Sequence, residues 1–327
     1  MTRTPLFLRP ALLALMLLLP VLPALGSVAG VHSLHIPPGA RANGLGEASV
    51  AIANDATAAW WNPAGLAFMR GRTIGLMHTK LVPDLADDIY YEYGGWVSHM
   101  QGWGTYSISL IYLSYGKSFA TADSPDIVGE FVSYEFSPSI AYGVQLAENT
   151  AIGIGLKYAR VDLAPVEYIL DFEGKGAGST VGVDFGILQR FGDAQLGAVV
   201  NNIGPNISFV NNEQSDPMPR HIKVGGAYTY YLPDNLGHVL MTADYNKMIV
   251  TGGPTIINGG AELQYAKIFA LRTGYVYDPD GDIEDLTFGV GFQVGIGENR
   301  DLFLDYANIP QASDLDRVHR FSLEMLF

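Results

Sequence analysis

The chain has 327 residues and a formal net charge of −14; 48% of it is hydrophobic, only 16% is charged, and it contains no cysteine. The acidic balance argues against a nucleic-acid partner, because phosphate binding needs clustered Lys and Arg. The absence of cysteine excludes disulfides and thiolate metal sites, and the charged fraction is low for a soluble domain.

In chain order, the first feature is a leader. Arg3 and Arg9 supply positive charge, and Ala11 to Leu25 is a leucine-rich run too short to span a bilayer comfortably. Small residues follow at cleavage spacing, at either Ala24-Leu25-Gly26 or Ser27-Val28-Ala29. Residues 1–29 are therefore read as a signal peptide. Its removal takes away arginines and no acids, which leaves the exported chain more acidic still.

Residues 30–72 show no alternation and are rich in small side chains. They close on Trp60-Trp61-Asn62-Pro63-Ala64-Gly65-Leu66-Ala67. Asn62-Pro63 reads as a turn, with Gly65 supplying a left-handed exit. Such a compact segment, tethered before the first strand, is expected to plug a barrel lumen. Trp60 and Trp61 are expected to pack the plug against the wall, with lining of a ligand path as the alternative.

Past Thr73 the dominant signal is period-two alternation, the mark of strands with two unlike faces. In the last strand Phe321, Leu323, Met325 and Phe327 oppose Arg320, Ser322, Glu324 and Leu326. Leu286, Phe288, Val290, Phe292 and Val294 likewise oppose Thr287, Gly289, Gly291, Gln293 and Gly295. The second faces are rich in glycine and carry single charges such as Asp184, Asp244 and Asp305, which a dry sandwich core would not tolerate unpaired. Aromatic residues recur near the ends of the apolar faces, as in Tyr106 and Tyr112, where a lipid–water interface would lie.

Strands are expected near 73–80, 89–99, 104–115, 135–147, 150–162, 179–190, 194–202, 221–231, 236–246, 258–265, 269–277, 285–296, 301–308 and 318–327. Their connections alternate between short turns and longer loops, including a loop over 116–134. This is the asymmetry of an outer-membrane barrel, with short periplasmic turns and long external loops. The fold expectation is all-β: a transmembrane antiparallel β-barrel of about fourteen strands with an N-terminal plug, both termini periplasmic. The divisions are a leader at 1–29, a plug at 30–72 and a barrel at 73–327. A soluble sandwich or propeller fits less well, since repeats are missing and one face of each strand is strongly apolar. Pro138 removes a ladder hydrogen bond; either the fourth strand begins after it, the favoured reading, or it marks a kink in the wall.

The run from Gly39 to Ala67, with its W-N-P-A-G-L core, resembles the N-terminal signature of the PorV/PorQ family, part of the FadL-like superfamily of outer-membrane transporters. Two further stretches resemble the family, Pro219 to Tyr228 and Arg317 to Leu323. The resemblance implies a fourteen-stranded barrel with an N-terminal hatch formed around Trp60, Trp61, Asn62, Pro63, Ala64 and Gly65. It implies a role in type IX protein secretion or surface attachment, with cargo bearing a C-terminal sorting domain as partner. The alternative it implies is uptake of long-chain fatty acids or other hydrophobic molecules.

Remaining constellations are weak. Asp278, Asp280 and Asp282 offer oxygen ligands at spacings calcium could use, but a solvated acidic loop is the simpler reading. No G-x-S-x-G or other nucleophile context stands out, so neither an enzyme nor a cofactor is expected. The terminal Phe327 is read as a signal for the barrel-assembly machinery, and lipid and lipopolysaccharide as the surroundings.

Overall fold

The structure, a computed structural model, describes residues 29–121, 127–165, 176–209, 215–250, 252–297, 300–312 and 315–327. The leader expected at the N-terminus lies outside the described residues. The strands are β1 Arg72–Lys80, β2 Ile89–Met100, β3 Gly104–Thr121, β4 Ile127–Ala147, β5 Thr150–Asp162, β6 Ala177–Phe191, β7 Ala194–Ile203 and the short β8 Ile207–Ser208. They continue with the short β9 Ser215–Asp216, then β10 His221–Tyr231, β11 Gly237–Met248, β12 Thr255–Tyr265, β13 Phe269–Asp278, β14 Ile283–Gly295, β15 Asp301–Ile309 and β16 Val318–Leu326.

All but β8 and β9 join one closed antiparallel barrel of fourteen strands, in which β7 pairs with β10. The ring closes where β1 meets β16, in a ladder from Thr73↔Leu326 to Thr79↔Arg320. Phe327 and Arg72 extend that seam by exchanging backbone hydrogen bonds of 2.9 and 2.8 Å. Closure removes every free edge, the condition for strands to cross hydrocarbon with their backbone satisfied. No helix among the described residues is long and apolar enough to cross a membrane.

Alternation in sequence becomes alternation across the wall. Ile108 and Phe288 point outward and are 54% and 50% exposed, whereas Arg320 and Lys223 point inward and are 5% exposed each. A wall of outward aliphatic and aromatic side chains on every strand belongs in lipid. One rim carries short turns and both ends of the barrel segment; the other carries the longer connections, apart from the short ones at 122–126 and 279–282. They are called the turn rim and the loop rim below.

Two expectations are corrected. The loop expected over 116–134 is largely strand, a hairpin that projects β3 and β4 beyond the loop rim with pairs from Lys117↔Val132 to Thr121↔Ile127. Its alternating Phe119, Val128 and Val132 carry β-propensity that the apparent polarity of the segment hid. A bulge after Ser114, where Gly116 takes φ +78°, lets the hairpin bend. Second, β4 does not begin after Pro138 but runs straight through it. Pro138 faces Leu110 of β3, while the β4–β5 ladder jumps from Phe136↔Arg160 to Ser139↔Lys157. A residue without an N–H can be carried inside a strand when only one ladder is interrupted.

The segment before β1 lies inside the barrel. It contains a 3-10 turn His32–Leu34, helix α1 Ala40–Gly44, helix α2 Ala58–Trp61 and a 3-10 helix Pro63–Phe68. The glycine-rich inner faces are the socket for it. A Cβ on Gly153 would stand 2.2 Å from the carbonyl carbon of Pro63, and one on Gly274 would stand 2.1 Å from the Gly46 nitrogen. Plug backbone therefore touches wall backbone, which only glycine permits.

Candidate functional site

The W-N-P-A-G run fastens the plug. Trp61 donates its indole N–H to the Pro38 carbonyl at 3.2 Å, closing the plug on itself. Asn62 is the central pin: its amide donates to Val50 O at 3.0 Å within the plug and to Ile187 O at 3.1 Å on β6. Its Oδ1 accepts from Ala64 N–H at 3.1 Å, capping the 3-10 helix that Pro63 opens. Gly65 is not a left-handed exit, as the sequence led us to expect; it lies inside that 3-10 helix. Its role is close approach, since a Cβ there would be 1.9 Å from Ala53 O.

Wall side chains reach in to satisfy plug N–H groups that would otherwise be buried and unpaired. Glu135 accepts from His32 and Ser33 N–H at 3.1 and 2.7 Å. Asp244 accepts from Val50 N–H and Glu324 from Ala56 N–H, both at 2.8 Å. Thr287 accepts from Gly46 N–H at 3.0 Å and donates to Gly44 O at 3.1 Å. The plug is thus bonded to strands around much of the ring.

It leaves a chamber on each side, and the two share no lining residue. The turn-rim chamber, about 260 Å³, is lined by a charge network and by two further acids, Asp55 and Glu324, which have no ion-pair partner among the described residues. Arg41 of the plug pairs with Glu262 at 3.0 Å, Arg272 pairs with the same carboxylate at 2.6 Å, and Arg272 reaches Asp305 at 2.5 Å. Arg41 also donates to Asn54 Oδ1 at 2.7 Å.

The loop-rim chamber, about 310 Å³, is arranged differently. Trp60 and Trp61 meet edge to face, with ring centroids 4.6 Å apart, and both line it. Lys223 places its ammonium 4.1 Å from the Trp60 ring centre and has no carboxylate in ion-pair range among the described residues. Arg320 spends one nitrogen on Pro37 O and Asn43 Oδ1, both at 2.5 Å, while its Nε has no partner. His35 of the plug stacks on His221 at a centroid separation of 5.4 Å. Enclosure in the lumen, then the nearby Lys223 charge, push the His35 imidazole down to about 4, so it is neutral at physiological pH. Burial raises the Glu47 carboxyl above the ordinary glutamate range.

The sequence-derived residues separate in space. The 60–65 motif sits at the plug centre, whereas Phe327 lies at the closing seam with its ring 5.7 Å from that of Trp96. Pro138 is in the wall. In the acidic loop Asp278 accepts from Gly281 N–H at 3.1 Å, an ordinary turn contact. No group of three His, Asp or Glu side chains among the described residues is arranged to hold a metal ion. Sequence reasoning missed Arg41, Lys223, Glu262 and Arg272. The signal available for the last three was a charge at an inward position of an otherwise small-residue face.

The family described as "Type IX secretion system protein PorV" matches residues 27–255, more than two thirds of the chain. No curated protein matches by sequence. Among solved structures, a Pseudomonas aeruginosa FadL homologue is similar at 12% identity and TM-score 0.56, covering 92% of this chain and 99% of that one. The Pseudomonas putida toluene transporter TodX is similar at 13% identity and TM-score 0.56, with coverage of 93% and 98%. The Ralstonia pickettii toluene transporter TbuX gives 13% identity, TM-score 0.55 and coverage of 88% and 97%. At these identities the likeness is one of fold. The chain is an outer-membrane β-barrel with a FadL-like fold, and it belongs to the PorV family.

Proposed function

We propose that the protein serves type IX secretion as a non-enzymatic outer-membrane component that receives cargo bearing a C-terminal sorting domain. In this reading residues 1–29 are a removed leader, 30–72 a fixed plug and 73–327 the barrel, with the turn rim periplasmic and the loop rim outside. The observation that carries it is the pinned plug, bonded through Asn62 to β6 and through Arg41 to β12. A lumen held shut by that many buried bonds suits a component that works at its rim rather than through its pore. Pull-down from detergent-solubilised outer membranes is expected to recover proteins sharing such a domain. Recovery of none from a strain that secretes them would remove the role.

Uptake of hydrophobic molecules is the second reading, favoured by the interrupted β4–β5 ladder at Pro138. The charged lining of both chambers weighs against it, because a hydrocarbon leaves buried charges unsolvated. Uptake of toluene or a long-chain fatty acid that falls on gene deletion would restore it.

Phe327 is proposed as the residue recognised by the barrel-assembly machinery, on the strength of its place at the seam where β1 and β16 close. Deleting it is expected to lower the outer-membrane yield of folded protein, measured by heat-modifiable migration. A normal yield would leave it as a packing partner of Trp96 only.

A further inference from the structure

The barrel treats buried charge in two ways. At the turn rim, each arginine in the network meets a carboxylate. At the loop rim, charges of both signs line one chamber and remain apart. Lys223 is 5% exposed and has no carboxylate partner among the described residues. Arg320 Nε, Asp244 Oδ1 and Asn258 Oδ1 are buried without hydrogen-bond partners. Glu47 and Asp278 add two further carboxyl groups to the lining.

These groups are held in place by other contacts. The Asp244 carboxylate is fixed by Val50 N–H, Arg320 by Pro37 O and Asn43, and Lys223 by the face of Trp60. Each is tethered on its plug side and lines the chamber. A buried polar group without a partner carries a desolvation penalty, so the chamber favours a solute that supplies the partners. Because the poles are positioned in advance, little ordering is needed on binding.

We propose that the loop-rim chamber binds a small zwitterion of the amino-acid or short-peptide class, with its carboxylate on Lys223 and Arg320, its ammonium on Asp244 and Glu47, and its apolar side chain on Trp60. A plain hydrocarbon would leave both sets of poles unmet, and a simple carboxylate would leave the acids unmet. The volume of about 310 Å³ lies at the small end of ligand pockets and limits the solute to one or two residues. Pro310 and Leu315, from the connection after β15, and Ile283, which opens β14, also line it. The inference does not depend on the secretion reading, and binding to the purified barrel can fail or succeed independently of cargo recovery.

The test is titration calorimetry on the detergent-purified full-length protein, with quenching of indole fluorescence as a second readout. The probes are L-phenylalanine, glycyl-phenylalanine, 3-phenylpropionate (no ammonium), 2-phenylethylamine (no carboxylate) and toluene (neither). At least one of the first two is expected to bind about tenfold or more tightly than each of the others. Lys223→Met and Asp244→Asn are each expected to lose about tenfold or more for it, whereas Gln264→Ala in the turn-rim chamber leaves it unchanged. The order of the five probes on the unaltered protein is decisive even if a variant fails to fold. Equal binding of all five, preference for toluene or 3-phenylpropionate, no binding of either zwitterion, or retained affinity in folded Lys223→Met would each overturn the proposal.

Discussion

The two chambers are built from the same materials and differ in whether their cations meet carboxylates. Around Glu262, guanidinium groups from the plug and from β13 converge on one carboxylate of β12, and a second carboxylate on β15 takes the remaining donor. Around Lys223, an ammonium, a guanidinium and three carboxyl groups line a cavity of similar size without forming an ion pair among the described residues. A closed network rigidifies: it ties plug to wall, and removing one member strands the others. The open arrangement also touches the plug, through Arg320 on Pro37 O and Asn43 and Asp244 on Val50 N–H, but its cations have no carboxylate partner among the described residues. One end of the lumen is a fastener and the other is a receptor.

The sharpest test of that contrast is Glu262→Ala. It leaves Arg41 and Arg272 inside the barrel without their shared anion, and the loss is expected at about 3–5 kcal/mol. Urea unfolding in detergent, followed by heat-modifiable migration, would measure it. A loss below about 1 kcal/mol would show that the network is not a fastener.

Gly153→Ala asks whether the plug rests on backbone contact. The new Cβ would fall 2.2 Å from the Pro63 carbonyl carbon, so plug or strand must shift, at an expected cost of about 1–3 kcal/mol. Limited proteolysis should then cleave within residues 30–72 faster than in the unaltered protein, while the barrel remains intact. Unchanged protection would mean that the plug has slack the structure does not show.

Lys223→Met should have the smallest effect, and it is the other half of the comparison. It removes a buried charge with no anionic partner among the described residues and sacrifices one contact with Trp60, so stability is expected to change by less than about 1 kcal/mol. A loss as large as that of Glu262→Ala would erase the difference between the chambers.

Much of the wall was legible in the residues. The strand positions expected from alternation fall within a few residues of those observed, because lipid outside and plug inside impose opposite demands on successive side chains. The exceptions are informative. The hairpin over 116–134 escaped because outside the membrane a strand need not be apolar on one face, and the period-two signal weakens. Pro138 was misplaced because whether a missing N–H is tolerated depends on which neighbour needs it, and the neighbours are set by pairing.

For the site, the sequence singled out Trp60 to Gly65 and the inward acids Asp184, Asp244 and Asp305, but did not assign their partners. Asp184 meets Lys157 at 2.8 Å, Asp305 meets Arg272, and Asp244 meets only a plug N–H among these contacts. Nothing in a period-two pattern distinguishes these cases, since all three acids occupy the same kind of inward position.

The sequence by itself determined the antiparallel barrel, its approximate strand count, and a non-alternating segment suited to fill the lumen. These are consequences of local periodicity and residue size, which the chain carries along its length. Only the tertiary structure decided that the plug is pinned through Asn62 and Arg41, and that the glycines form its socket. It also decided that one set of lumen charges is paired while the other is held apart. Those facts depend on which strands face one another across the ring, a relation between residues hundreds of positions apart that no local pattern records.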